Sequence, residues 1–203
     1  MQSFDELRKQ SAAKAYESPQ FNEALGEVLH PGGLKLTARV AEVAQINSRS
    51  HVLDIASGRG TTAFFLAQQY GCQVLGIDLS MTSTSLAMAK AEAQGLQSKV
   101  IFAAADAERL PFHTSTFDVV ISECSFSLLP DKEAGAREIA RVLKPGGRLA
   151  ITDVFLRGQL SDELRTNATF DSCFSGAETI DSYIEIFTNA GFIDPYTEDQ
   201  SMV

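Results

Sequence analysis

Residues 52–60 read Val52-Leu53-Asp54-Ile55-Ala56-Ser57-Gly58-Arg59-Gly60, an apolar run entering a turn of small residues just before a stretch with helical periodicity. Strand, small-residue turn and helix in that order form the opening βα unit of a doubly wound α/β sheet. Minimal Cβ atoms in the turn let backbone approach a ligand closely. The turn alone does not name the ligand, because many α/β proteins carry glycine-rich turns after their first strand.

Working outward, short apolar runs alternate with longer amphipathic stretches from His51 to Asp153, the pattern of repeated βα units on a parallel sheet. Strands are predicted over 51–55, 73–77, 99–103, 117–122 and 148–152, and helices over 61–70, 83–94 and 131–143. Pro130 suits a helix entry and Pro145-Gly146-Gly147 a stop. Upstream, 4–15 and 36–44 read as helices flanking the breaker His30-Pro31-Gly32-Gly33; downstream, 179–190 reads as a helix closed by Gly191 and 192–196 as a sixth strand. The expected fold is α/β: a doubly wound, mostly parallel, Rossmann-like sheet with an N-terminal helical cap. One domain is expected over 1–203, with the cap at 1–45, a cofactor-binding core at 46–155 and an acceptor-side segment at 156–203.

The 203 residues are 44% hydrophobic and 21% charged, which places the chain among ordinary globular proteins. A net charge of −9 with no Lys/Arg run argues against nucleic acid and anionic membrane as partners. No stretch approaches the roughly 18 apolar residues of a spanning helix, and the first residues mix charges into any apolar run, so a cytoplasmic protein is expected. Cys72, Cys124 and Cys173 are odd in number and contain no Cys-x-x-Cys pair, which argues against a disulfide framework and a zinc ribbon; reduced thiols and no resident metal are expected.

Two acids narrow the ligand. Asp78 ends the second strand about 20 residues beyond the loop, where a carboxylate accepts both hydroxyls of an adenosine ribose; its alternative role is to cap the helix that begins near Ser80. Asp106 follows the third strand and suits an adenine amino group; its alternative role is an Asx turn in the loop.

Loop, second-strand acid and third-strand acid together resemble the class I S-adenosylmethionine-dependent methyltransferases, in their ubiquinone-biosynthesis-like branch. The stretches 109–120 and 138–147 look like that family's fourth strand with its approach, and its connection to strand five. One departure is Ala56, which stands where the family has its first loop glycine and is tolerable at negative φ. By this resemblance S-adenosylmethionine is the cofactor. Asp54 would meet its methionine amino group, Ala56, Ser57 and Gly58 would line the loop, and Asp78 with Leu79 would take the ribose. Asp106 and Ala107 would take the adenine, with Glu123 beside the methionine end. The family's seventh strand finds no counterpart, so either this branch ends differently or the sequence is a fragment. A monomer or homodimer is expected.

Methyl transfer from a sulfonium is an in-line displacement that gains most from alignment and exclusion of water. Acceptors that must lose a proton also need a base, and Glu123 and Asp153 lie after strands four and five, although each also suits a cofactor contact or a helix entry. Cys124 follows strand four directly, and Cys173 lies in a loop able to fold back over the same edge. Both segments resemble the cysteine segments of arsenite methyltransferases, which would make Cys124 and Cys173 ligands to trivalent arsenic. The further cysteine that those enzymes carry before the glycine loop is replaced here by His30-Pro31-Gly32-Gly33. Two small buried residues in a methyltransferase of another small molecule explain the same sequence. His113, in a polar turn, reads as exposed, while His30 before Pro31 is less easily dismissed; Tyr16 and Thr37 suit helix packing, or could reach the cofactor carboxylate or the acceptor. Outside this class stand an NAD-dependent oxidoreductase, whose G-x-G-x-x-G spacing is not met, and a non-catalytic cofactor-binding protein.

Overall fold

A computed structural model describes residues 4–18, 30–158, 173–174 and 176–201. Its helices are α1 (Phe4–Glu17), α2 (Gly33–Val43), α3 (Thr61–Tyr70), α4 (Met81–Ala93), α5 (Lys132–Val142) and α6 (Ile180–Asn189). The central strands are β1 (His51–Ile55), β2 (Gln73–Asp78), β3 (Val100–Ala104), β4 (Phe117–Glu123) and β5 (Leu143–Thr152). They form one parallel sheet in the order β3-β2-β1-β4-β5. The chain winds outward from β1 to β3, then crosses back to β4 beside β1. That reversal puts a crevice at the carboxyl ends of β1 and β4, which is where ligands bind in open α/β sheets.

The period of two along the strands sends alternate side chains to opposite faces. Val52, Val119 and Ile121 pack with Val40 of α2, Leu66 of α3 and Ala87 of α4. Leu53, Ile55 and Val120 pack with Ile139 and Val142 of α5, and Phe187 of α6 joins them, its ring 4.7 Å from that of Phe126. Each fully buried aliphatic side chain contributes about 1.5–3 kcal/mol. Cys72 is buried in the first of these layers.

Helix ends follow local chemistry. Ser80 caps α4 by accepting from the Ser83 amide at 2.9 Å, and Asp131 caps α5 by accepting from the Ala134 amide at 2.8 Å. The capping role considered for Asp78 thus belongs to Ser80.

Two expectations need correction, and one element was not foreseen. Residues 192–196 form no strand: Ile193 is 82% exposed, Asp194 has φ 53° and Pro195 lacks an amide to pair. Strand β5 begins at Leu143 and runs through Pro145-Gly146-Gly147, with its register against β4 shifting between Phe117 and Val119. A separate pair, β6 (Phe155–Leu156) with β7 (Glu178–Thr179), lies outside the main sheet. Residues 19–29 of the predicted cap and 159–172 of the predicted acceptor-side segment lie outside the described residues.

Gly76 shows how tightly the loop is seated on the sheet. A Cβ there would stand 2.6 Å from Phe102 Cδ1 and 2.7 Å from Ser57 Oγ. Gly76→Ala is therefore expected to destabilise the protein by about 1–3 kcal/mol through overpacking, measured as a lower urea midpoint at unchanged slope.

Candidate functional site

The crevice holds a cavity roofed by Lys9, Ala12, Ala13 and Tyr16 of α1 and floored by the turn after β1. All nine residues assigned to the cofactor from sequence line it: Asp54, Ala56, Ser57, Gly58, Asp78, Leu79, Asp106, Ala107 and Glu123. Of the residues singled out for catalysis Glu123 and Cys124 line it; Cys173 does not, but it contacts Cys124.

The turn is held by the Ser57 amide donating to Ile77 O at 2.8 Å and the Gly60 amide donating to Ser57 O at 2.8 Å. Gly60, at φ 81°, carries no Cβ where one would meet the Phe102 ring at 2.4 Å. Ala56 has φ 54°, not the negative value that would make its methyl group comfortable. A left-handed alanine costs about 1–2 kcal/mol and marks a backbone held by its surroundings.

Asp78 accepts from the Gly58 amide at 2.9 Å and the Ser80 amide at 2.8 Å, which leaves a lone pair on each oxygen for further donors. Burial pushes its carboxyl up, opposed by those two amides. Asp54 is 2% exposed, and its Oδ2, like Ser57 Oγ, is buried without a hydrogen-bond partner. Burial raises the Asp54 carboxyl well above the usual range, with the charges of Glu123 and Asp78 adding to it. An orphaned buried acid beside an orphaned hydroxyl is costly unless a ligand supplies donors. An ammonium group does so, and the residues present therefore fit the amino-acid end of S-adenosylmethionine.

Asp106 accepts from Lys9 Nζ at 2.8 Å and, as the Asx alternative anticipated, from the Glu108 amide at 2.9 Å. Lys9 also pairs with Glu108, tying α1 to the loop after β3. Sequence reasoning missed Lys9, because nothing in a mixed-charge helix says which loop it will cross.

Glu123 is nearly enclosed. Thr37 donates to both its oxygens at 3.1 Å, Thr62 donates to Oε2 at 2.6 Å, and His30 Nε2 lies 3.4 Å from Oε2. Thr62 was missed altogether, and Thr37 suited packing as well as a ligand contact. Asp153 does not line the cavity. It accepts from the Ser127 amide at 2.8 Å, Ser127 Oγ at 2.7 Å and the Val154 amide at 2.8 Å, and so braces the turn after β4.

The cysteine segments converge. Cys124 Sγ donates to Cys173 Sγ at 3.1 Å, and both residues are buried. The hydrogen bond to Cys173 and burial both push the Cys124 thiol up. Cys124 itself has φ 51°. Gly176 seats the Cys173 segment by backbone approach, because a Cβ there would stand 1.9 Å from Ser127 O. Tyr16 also hydrogen-bonds Cys173, and its phenol is raised by burial and then by the neighbouring sulfurs. His113 is exposed in its turn. Among the described residues no helix is long and apolar enough to cross a membrane, and no cluster of three or more His, Cys, Asp or Glu residues is arranged to hold a metal ion.

Comparison with known proteins gives the same reading. A family model described as a methyltransferase domain matches residues 46–191. An arsenite methyltransferase of Aquipseudomonas alcaligenes is 32% identical over 216 residues, covering 98% of this chain and 61% of that protein. Methyltransferase GfsG of Streptomyces halstedii is 34% identical over 167 residues, covering 80% of this chain and 60% of that one. Among solved structures, phosphoethanolamine N-methyltransferase 2 of Haemonchus contortus in complex with S-adenosyl-L-methionine has a TM-score of 0.80 at 26% identity, covering 96% of this chain and 45% of that chain. The chain thus spans about three fifths of the length of these two curated relatives. By sequence match, sheet order and the residues gathered at the crevice, the chain belongs to the class I S-adenosylmethionine-dependent methyltransferase family.

Proposed function

We propose that the chain transfers the methyl group of S-adenosylmethionine to a small-molecule acceptor by in-line displacement. The observation that carries this reading is the pair of buried, unpartnered oxygens, Asp54 Oδ2 and Ser57 Oγ, set between the glycine turn and Asp78. When bound, the donor supplies an electrophilic methyl group on a positively charged sulfur. Asp54 and Ser57 would hold its ammonium group, Asp78 its ribose hydroxyls, and Asp106 with Ala107 its adenine. Helix α1 covers the cavity and keeps water from the sulfonium, while the acidic floor favours a cationic ligand. Neither Glu123 nor Asp153 is free to serve as base. Glu123 accepts from two threonine hydroxyls and Asp153 takes three hydrogen bonds from 127 and 154, so both act as fixed acceptors. Catalysis here then rests on alignment and desolvation.

A second reading concerns the acceptor and is favoured by one observation, the 3.1 Å approach of Cys124 and Cys173. Two adjacent soft sulfurs suit a soft trivalent centre such as arsenite or methylarsenite. The test uses methyl-labelled S-adenosylmethionine with methylarsenite and a panel of amine, hydroxyl and thiol acceptors. Transfer to at least one acceptor is expected. Arsenical methylation lost in Cys124→Ser/Cys173→Ser supports the thiol site, and its retention there sinks that idea. Donor binding without transfer to any acceptor would turn the assignment to a non-catalytic cofactor-binding protein.

A further inference from the structure

The Glu123 carboxylate joins three parts of the chain that are distant in sequence. His30 and Thr37 belong to the segment that enters and forms α2, Thr62 to the first turn of α3, and Glu123 to the end of β4. The side chains of His30 and Glu123 are 8% and 4% exposed, and Thr37 is fully buried. Thr37 Oγ1 also lies 3.4 Å from His30 Nε2, so hydroxyl, ring and carboxylate form one closed contact. On the other side of the ring, Nδ1 lies 3.2 Å from Pro31 O. Both ring nitrogens therefore face oxygen atoms of the protein.

Next to this cluster Asp54 has an oxygen with no partner at all. Two acids thus line the cavity in different surroundings, Glu123 among donors and Asp54 with one unpartnered oxygen. Without His30 and the threonines, both would compete for a single arriving cation, and the charge of Glu123 would work against ionisation of Asp54. We propose that His30 is a positioning residue: with Thr37 and Thr62 it fixes the Glu123 carboxylate, so that Asp54 alone is left to receive the cationic end of the donor. This inference rests on the S-adenosylmethionine reading above. His30 acts through Glu123 and needs no contact with the reacting atoms.

The test is calorimetric titration of the full chain with S-adenosylmethionine, run on the parent and on His30→Ala, His30→Gln, Glu123→Gln and the His30→Ala/Glu123→Gln double variant. Melting temperatures serve as the control for folding. His30→Ala is expected to weaken donor binding about tenfold, because the 3.4 Å contact of the ring with the buried Glu123 carboxylate is lost. His30→Gln, whose amide still donates toward Glu123, is expected to stay within about threefold of the parent. In the Glu123→Gln background the same His30→Ala change is expected to add less than about twofold, because its target is already neutral. An undiminished His30→Ala effect in that background overturns the inference, as does wild-type binding by His30→Ala. A parent chain that binds no S-adenosylmethionine overturns the donor reading instead, and the inference with it.

Discussion

Asp78→Ala is expected to lower affinity for both S-adenosylmethionine and S-adenosylhomocysteine by about a hundredfold or more. The carboxylate is fixed by the Gly58 and Ser80 amides at 2.9 and 2.8 Å, and it keeps one lone pair per oxygen for two ribose hydroxyls. Each hydrogen bond to a charged group is worth about 1.5–3 kcal/mol, so losing two amounts to at least about 3 kcal/mol, or roughly two orders of magnitude in affinity. The alanine also leaves the Gly58 amide without its acceptor and loosens the turn. Asp78→Asn keeps one carbonyl oxygen and is expected to fall between the two. Isothermal calorimetry on all three proteins measures the series, and equal affinities across it would remove Asp78 from the site.

Asp54→Asn is expected to have opposite effects on the ligand-free protein and on donor binding. Burial, then the charges of Glu123 and Asp78, hold the Asp54 carboxyl well above its usual range. A cationic donor binds the ionised form, so binding below that raised value releases a proton. Affinity then rises by up to about tenfold per pH unit, and it levels off once Asp54 is ionised in the free protein. Asp54→Asn should lose at least about tenfold in affinity at pH 8 and lack that part of the pH slope, since a neutral amide gives an ammonium group no counter-charge. Stability has the reverse sign. A carboxyl raised in the folded state contributes stability that is fully present below the unfolded value of about 3.9 and is lost as pH rises through the folded value. The asparagine variant cannot ionise, so it should melt above the ligand-free parent at pH 8, with the gap closing as pH falls toward 4. Calorimetry at pH 5 to 8 and thermal melts over the same range test both halves. A parent affinity independent of pH, with no gain in melting temperature, would show that Asp54 is not the acid involved.

The core of this fold was legible because strand periodicity and turn chemistry agree with it. Runs such as Val52 to Ile55 and Val119 to Ile121 are buried on both faces, and the turn at 56–60 has little freedom to do anything but precede a helix. The failures lie where local sequence is ambiguous. Phe192-Ile193 looks like the start of a strand, but a strand needs a neighbour, and the Asp194-Pro195 step removes the backbone geometry and the amide for pairing. Ala56 was read by its side chain, whereas its conformation is set by a turn fastened to Ile77 and roofed by α1. Asp78 and Glu123 could be singled out because each ends a strand, and Asp106 because it follows one, whereas Asp54 lies inside β1 and was singled out by the family resemblance. Lys9, His30 and Thr62 could not be found that way, since each reaches the site across a helix or turn whose orientation is decided only by packing. The meeting of Cys124 with Cys173 is intermediate: the sheet edge was predictable, while the fold-back depends on Gly176 admitting the carbonyl of Ser127.

The measurement that tests the central claim most directly is calorimetric titration of the 203-residue chain with S-adenosylmethionine, S-adenosylhomocysteine and NAD in parallel. The account predicts saturable binding of the first two, proton release on binding the donor below the raised Asp54 value, and no heat from NAD. Binding of NAD alone, or S-adenosylmethionine affinity unchanged in Asp78→Ala, would contradict it.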